Sequence, residues 1–159
     1  MATTAAGTPY VEASDLVAGY PAVSLALANH IDGLGSASET ATVATSQQTT
    51  STVFADLATA GPAVTVTTGT KALVSVTAAS YHNATGTTYS GLAVSGASTV
   101  AAGNENSVSG GGTTNTRASA TFLVTGLTAG SNTFTMKYKV DSGTGNFLNR
   151  TISVIDMGS

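Results

Sequence analysis

The feature that most constrains the fold is the alternation of side chains within Thr121–Val140 (TFLVTGLTAGSNTFTMKYKV). In the second half of this stretch, one side of an extended chain would carry Phe134, Met136, Tyr138 and Val140. The opposite side would carry Thr135, Lys137 and Lys139. A period of two indicates a β-strand with one buried and one solvated face. Because Gly126 and Asn132 are of the types that turns favour, the whole stretch predicts an antiparallel β-hairpin.

Similar short segments recur along the chain and are separated by turns that contain Gly, Asn or Pro. We predict further strands at residues 52–57, 63–67, 71–79, 88–95, around 108 and 147–157. Short strands spaced by about ten residues are typical of sandwiches and barrels. The predicted fold class is all-β, a jelly-roll-like antiparallel β-sandwich over residues 52–159. Its predicted core contains Phe122, Val124, Phe134, Met136, Tyr138, Ile152 and Val154.

Composition narrows the classes of function. Hydrophobic residues make up 42% of the chain, which is enough for a core and unlike a disordered protein. The net charge is −3 and Lys and Arg total only five, so we expect no nucleic-acid partner. The N-terminus lacks the features of a secretion signal, and no apolar run approaches the ~20 residues that span a bilayer. We therefore expect no membrane partner.

Residues 1–35 differ in kind from the rest of the chain. Pro21 suits the first position of a helix, the following residues to Ile31 are mostly helix formers, and Gly33 is placed to end it. A helix of roughly three turns is marginal alone, so we interpret this segment as a docking arm with a short helix that a partner orders. The alternative is that the helix packs on its own sandwich. The expected anchors are Tyr10, Val11, Leu16, Tyr20, Val23, Leu27 and Ile31.

The Ser/Thr-rich residues 36–51 contain no aromatic side chain, and we predict that they form a linker.

The sequence carries no constellation that predicts catalysis. His30 and His82 are the two histidines, and neither has a second ligand at metal-binding spacing. Asp141 stands alone in a loop that would need several acidic oxygens to hold calcium. No nucleophile elbow or phosphate-binding loop occurs. We expect no enzyme activity, no catalytic residue, no cofactor and no metal.

Apolar residues also fall on the predicted solvent face of several strands. They are Leu73, Leu123, Phe147 and Ile155. One exposed apolar residue is ordinary, but several indicate a second buried surface. The chain has no cysteine, so disulfides cannot stabilise it. We therefore predict a homo-oligomer, most simply a trimer.

Two parts of the sequence resemble a known class of protein. The opening TPYVEASDLVAGYPAVSLALANHIDGLG resembles the N-terminal segment of small virion proteins of tailed phages that infect actinobacteria. The stretches TTSTVFADLATAGPAVTVTTGTKALVSVTA, FLVTGLTAGSNTFTMKYKV and NRTISVI resemble the β knob of minor tail and fibre proteins in that group. The resemblance implies a non-enzymatic protein of the virion surface. It would dock on capsid or tail through its N-terminal segment and display the knob outward, often as a trimer.

The chain departs from long fibre proteins because it has no shaft between anchor and knob. This favours a decoration or minor tail protein. The alternative is a tail fibre tip that binds a host receptor or glycan. Sugar recognition favours exposed aromatic platforms, and here there is no Trp, while only Tyr81 and Tyr89 lie near predicted loops.

Overall fold

The structure is a computed structural model that describes residues 2–3, 9–10, 22, 24–25, 27 and 37–158. The chain divides into two compact units, Met1–Ser36 and Ala37–Ser159. In the first unit, β1 (Ala2–Thr3) pairs antiparallel with β2 (Pro9–Tyr10). Ala22, Ser24, Leu25 and Leu27 are helical, and the rest of the helix predicted to Ile31 lies outside the described residues.

The second unit contains nine strands in chain order. They are β3 (Ser38–Val43), β4 (Gln47–Thr49), β5 (Ala63–Thr68), β6 (Lys71–His82), β7 (Thr87–Gly96), β8 (Ser107–Gly111), β9 (Thr116–Thr125), β10 (Gly130–Val140) and β11 (Gly145–Asp156). A four-stranded sheet has the order β5-β10-β7-β8. A five-stranded sheet has the order β3-β11-β6-β9, with β4 also paired to β11. Every pairing is antiparallel.

Each connection from β5 to β11, except that between β7 and β8, passes from one sheet to the other. This antiparallel topology confirms the predicted all-β, jelly-roll-like sandwich. The strands predicted at 63–67, 71–79, 88–95, around 108 and 147–157 are confirmed as β5, β6, β7, β8 and β11.

The core lies between the two sheets and follows the alternation of the strands. In β10 the inward side chains of Phe134, Met136 and Tyr138 are fully buried. Ile152 and Val154 face them from the other sheet and are also fully buried. Of the remaining predicted core residues, Phe122 and Val124 are partly buried and pack against this cluster.

The predicted hairpin over Thr121–Val140 is wrong, because its two strands belong to different sheets. β9 pairs with β6, whereas both edges of β10 are occupied by β5 and β7. The connection crosses the end of the sandwich and buries Leu127, whose N–H donates to the carbonyl of Thr70 at 3.1 Å. Fully buried Asn132 donates to Thr68 Oγ1 and accepts from the N–H of Ser98, each at 2.8 Å. The Gly- and Asn-containing segment therefore changes sheets, and it does not join neighbouring strands.

The predicted linker at residues 36–51 is also wrong, since it contains β3 and β4, which both pair with β11. Its threonines pack on a pleated surface, where β-branched side chains are favoured. Thr40 Oγ1 donates to Ser153 Oγ, and the hydroxyls of Thr42 and Thr151 share a hydrogen bond, both at 3.0 Å. Conversely, residues 52–57, predicted as a strand, make one isolated bridge between Ala55 and Tyr138.

Phe147, predicted on a solvent face, is fully buried. The reason is a shift of register in β11 between Leu148 and Thr151, where Asn149 adopts φ of 47°. A β-bulge of this kind adds a residue and reverses the alternation beyond it. Phe147 and Ile152 consequently both point into the core, although strict alternation would place them on opposite faces.

Candidate functional site

A groove of about 800 Å³ lies on the outer face of the four-stranded sheet. Four segments that are distant in sequence form it: residues 52–56, residue 93 of β7, residues 101–104, and the outward side chains of β10. The side chains that matter for chemistry are Phe54, Asp56, Asn104, Lys137 and Lys139. Ala93, Ala101, Ala102 and Gly103 provide a wall of small residues.

The ring of Phe54 occupies space that is available because Gly91 has no side chain. A Cβ atom on Gly91 would lie 2.7 Å from Phe54 Cε1, closer than Cβ atoms in proteins come to a neighbouring carbon. Glycine within a strand often marks such a close approach. Ala55, the next residue, exchanges backbone hydrogen bonds with Tyr138 at 3.0 and 2.9 Å, so the segment that carries Phe54 is fixed to β10.

Lys139 lies close to two aromatic rings. Its Nζ is 4.8 Å from the ring centre of Tyr89, the residue opposite it on β7, and 5.0 Å from that of Phe54. Both distances are within the range in which an ammonium group is attracted to a ring face. The two rings hold the ammonium group at the groove while adding no negative charge to it.

Lys137 is paired differently, although it lies on the same face of β10. Its Nζ donates to Asp56 Oδ2 at 2.6 Å. The two side chains are 28% and 42% exposed, so the pair contributes little to stability. Its main consequence is local, because it ties the segment of Asp56 to β10 along one wall of the groove.

The turns at one end of the sandwich are held by His82 and Asp141. Buried His82 accepts the N–H of Ala84 at Nδ1 (3.0 Å), and its Nε2 then donates to the carbonyl of Ser142 at 2.6 Å. The Asp141 carboxylate accepts the N–H of Thr87 at 2.9 Å, and this bond lowers its pKa. Both side chains hold loops in place. Within residues 37–158, no three His, Cys, Asp or Glu side chains cluster as metal ligands would.

A second surface is the outer face of the five-stranded sheet. Leu123, Leu73 and Ile155 lie opposite one another on β9, β6 and β11 and form an apolar row. Leu123 is 58% exposed and Ile155 39%. Next to this row lie two rows of hydroxyl side chains, composed of Thr40, Ser153, Ser75 and Thr121, and of Thr42, Thr151, Thr77 and Ser119. Among the described strands, no charged side chain lies within these three rows.

The predicted partner-binding residues lie in the first unit. Tyr10 is in β2, and Leu27 is helical and half-buried. Val11, Leu16, Tyr20, Val23 and Ile31 lie outside the described residues. The docking role of all seven stays a prediction. In the described part of the chain, no helix is long and apolar enough to cross a membrane.

Sequence reasoning did not identify the groove. Two features of the sequence are consistent with a groove here. Gly91 interrupts a strand of otherwise larger residues, and Lys137 and Lys139 share one face of β10. Neither feature shows that Phe54 lies beside them, because that contact depends on the pairing of distant segments.

Comparisons with known proteins identify the fold. No protein-family model matches the chain, and no curated protein matches its sequence. The structure of Eiger TNF from S. frugiperda is similar over 78% of this chain and 94% of that one, with 12% identity and a TM-score of 0.53. A chain in the structure of infectious bursal disease virus, Gx strain, is similar over 78% of this chain and 33% of that one, with 13% identity and a TM-score of 0.51. These likenesses establish a fold, the antiparallel jelly-roll sandwich, that also occurs in a virus particle.

Proposed function

We propose that this chain is a non-enzymatic structural protein of a virion, which forms a homo-oligomer through the outer face of its five-stranded sheet. Residues 1–35 dock it on capsid or tail, and the sandwich is displayed at the virion surface. The resemblance of its sequence to phage virion proteins supports this role, as does a fold shared with a virus structure. A trimer is the simplest oligomer that fits such a knob.

The observation that best supports self-association is the set of apolar and hydroxyl side chains on the outer face of the five-stranded sheet. Leu73, Leu123 and Ile155 would lose contact with water if a second copy covered them, which is favourable in proportion to the apolar area buried. The neighbouring hydroxyl groups each donate and accept hydrogen bonds, so two copies of the same surface can satisfy one another. Depletion of charge is what distinguishes the centre of an interface from other surface.

Leu123→Glu tests self-association directly. The substitution places a charge in the apolar row, where it would be desolvated in the oligomer. We therefore expect the affinity of self-association to fall by at least about a hundredfold. Sedimentation velocity over micromolar concentrations measures the change. Thr67→Glu is the matched control, since it adds the same charge to an exposed position of the other sheet. A wild-type protein that sediments as a monomer throughout would refute the proposal.

The docking role of residues 1–35 is tested by deleting them. The remaining chain should still fold and self-associate but should no longer co-sediment with particles that lack the protein. The reason is that the seven apolar anchors would be lost, and such anchors carry most of the energy of an interface. Wild-type binding in the same assay is the reference. A deleted chain that still decorates particles would show that the sandwich carries the docking surface.

A second candidate function is a receptor- or glycan-binding module at the tip of a tail structure. The groove favours it, because Phe54, Lys137 and Lys139 converge on one concave surface. A saccharide-binding assay distinguishes this function from a purely structural role.

A further inference from the structure

We infer that the groove beside Phe54 is a binding site for one anionic saccharide unit, with Lys139 as its charged contact. This inference rests on the second candidate function and deepens it by naming the ligand class. It does not depend on the structural role, since it concerns the four-stranded sheet and not the sheet proposed for self-association. It therefore stands or falls separately from the proposed oligomer.

The charge of the groove favours an anion. Lys137 and Lys139 place two ammonium groups at it, while Asp56 supplies one carboxylate, which is bonded to Lys137. Within residues 37–158, Lys139 forms no ion pair, and its neighbours are two rings. The side chains that line the groove thus carry one more positive charge than negative, on a chain whose net charge is −3, and the Glu105 carboxylate beside Gly103 lies outside this lining. An ammonium group already oriented by Phe54 and Tyr89 can bind an anion with little further ordering.

The remainder of the groove suits a sugar ring. Phe54, Val53 and the small wall at Ala93 and Ala101 offer apolar surface of the size that the C–H face of a pyranose requires. Asp56 uses Oδ2 for Lys137, which leaves Oδ1 to accept a sugar hydroxyl. Exposed Asn104 at the rim supplies an amide that can donate to a second hydroxyl.

These features set the orientation of the ligand. The acidic group would lie against Lys139, and the apolar face of the ring against Phe54 and the alanine wall. The hydroxyl groups would then face Asp56 and Asn104. A carboxylate and a phosphate satisfy the ammonium group equally, so a uronic acid and a sugar phosphate share the required chemistry.

The test is an NMR titration of the ¹⁵N-labelled full-length protein. The probes are glucuronate and glucose 6-phosphate, which distinguish a carboxylate from a phosphate. Glucose and acetate separate the contributions of the ring and of the charge. We expect saturable shifts at Ala93, Ala101 and Asn104 with at least one of the two acidic sugars. Neither glucose nor acetate should reproduce them at the same concentration.

Three variants make the assignment specific. Lys139→Gln removes the charge and should weaken binding by about tenfold or more. Ala93→Phe fills the groove without changing any charge and should abolish the shifts. Lys71→Gln, the matched control, removes the same charge from the exposed start of β6 and should leave binding unchanged. Each variant counts as folded if its ¹⁵N spectrum matches that of the wild type for residues outside the groove.

Four outcomes would overturn the inference. They are the absence of shifts with both acidic sugars, undiminished shifts in Lys139→Gln, equal shifts with glucose, and equal shifts with acetate. Equal shifts with acetate would mean an adventitious ion only. Loss of binding in both Lys139→Gln and Ala93→Phe, with Lys71→Gln unaffected, would establish the site.

Discussion

A chain shortened to begin at residue 52 should lose cooperative unfolding, whereas one that begins at residue 36 should keep the unfolding transition of the full-length protein. The difference between them is β3 and β4, which lie within residues 36–51. These strands pair with six and three residues of β11, respectively. At about 1 kcal/mol for each hydrogen bond, their loss would approach the roughly 5–15 kcal/mol by which small domains are stable.

The loss of these strands also affects the core. Ala41 packs against the buried cluster, so its removal would expose one side of Ile152, the residue opposite it on β11. Thr45 and Gln47 contribute acceptors to the buried Arg150, and both would be missing. β11 would become an edge strand with an unpaired and partly apolar border, which favours aggregation.

Urea unfolding followed by circular dichroism measures the effect, and the slope of the transition reports the surface exposed. A chain that begins at residue 44 is an informative intermediate, since it lacks β3 but keeps β4. We expect it to unfold cooperatively with a midpoint below that of the chain that begins at residue 36. Equal midpoints for the chains that begin at residues 36 and 52 would show that β3 and β4 do not stabilise the sandwich.

The strands themselves were largely predictable because their signal is local. Alternation in β10 identified Phe134, Met136 and Tyr138 as core, and they are fully buried. Pairing is not local. Two successive strands with a short Gly-containing connection can form a hairpin or change sheets, and the choice depends on whether β5 and β7 occupy both edges of β10.

The other errors arise because local patterns do not reveal which distant segments pair or where a strand contains a bulge. Thr40 and Thr42 lie in a segment whose composition resembles a linker, yet hydrogen bonds with Ser153 and Thr151 hold it on the sheet. Phe147 changed faces because of a bulge at Asn149 that alternation alone does not reveal. The groove escaped prediction for the same reason, since Phe54 reaches Lys139 only through the folded arrangement of distant segments.

Arg150→Ala should destabilise the sandwich by about 3–5 kcal/mol, as expected when a large buried side chain is truncated and leaves a cavity. Arg150 is fully buried in β11. Its Nη1 donates to the carbonyl of Gly61 at 3.4 Å, and its Nη2 to the carbonyl of Thr45 at 3.3 Å and to Gln47 Oε1 at 3.1 Å. The guanidinium group therefore joins the segment before β4 and the segment before β5 to β11.

Tyr138 completes this arrangement. The guanidinium carbon lies 5.2 Å from the centre of its ring, and its hydroxyl donates to the same Gly61 carbonyl at 2.9 Å. Burial raises the pKa of the Tyr138 phenol, so the hydroxyl remains a donor at neutral pH. Loss of Arg150 would leave the Gly61 carbonyl bonded to Tyr138 and Gln47 Oε1 bonded to the N–H of Thr59, while the carbonyl of exposed Thr45 can bond to water.

Arg150→Met separates the contribution of packing from that of charge. Within residues 37–158 no carboxylate pairs with Arg150, and its Nε has no hydrogen-bond partner. Burying a charge in this way is unfavourable, and replacement by a well-packed apolar residue is often neutral or stabilising. We therefore expect the free energy of unfolding of Arg150→Met to lie within about 1 kcal/mol of that of the wild type. Arg150→Lys keeps the charge but cannot span carbonyls on both sides, so it should be less stable than the Met variant.

Urea denaturation of the three variants under the same conditions gives the ranking. If the free energy of unfolding falls in the order Met, Lys, Ala, Arg150 stabilises the sandwich chiefly by filling space. Its hydrogen bonds then serve mainly to fix the backbone conformation of residues 44–47 and Gly61. If the Met variant were as unstable as the Ala variant, the hydrogen bonds themselves would be the larger contribution. A stable Ala variant would contradict the buried position of Arg150 and, with it, the arrangement of β4 on β11.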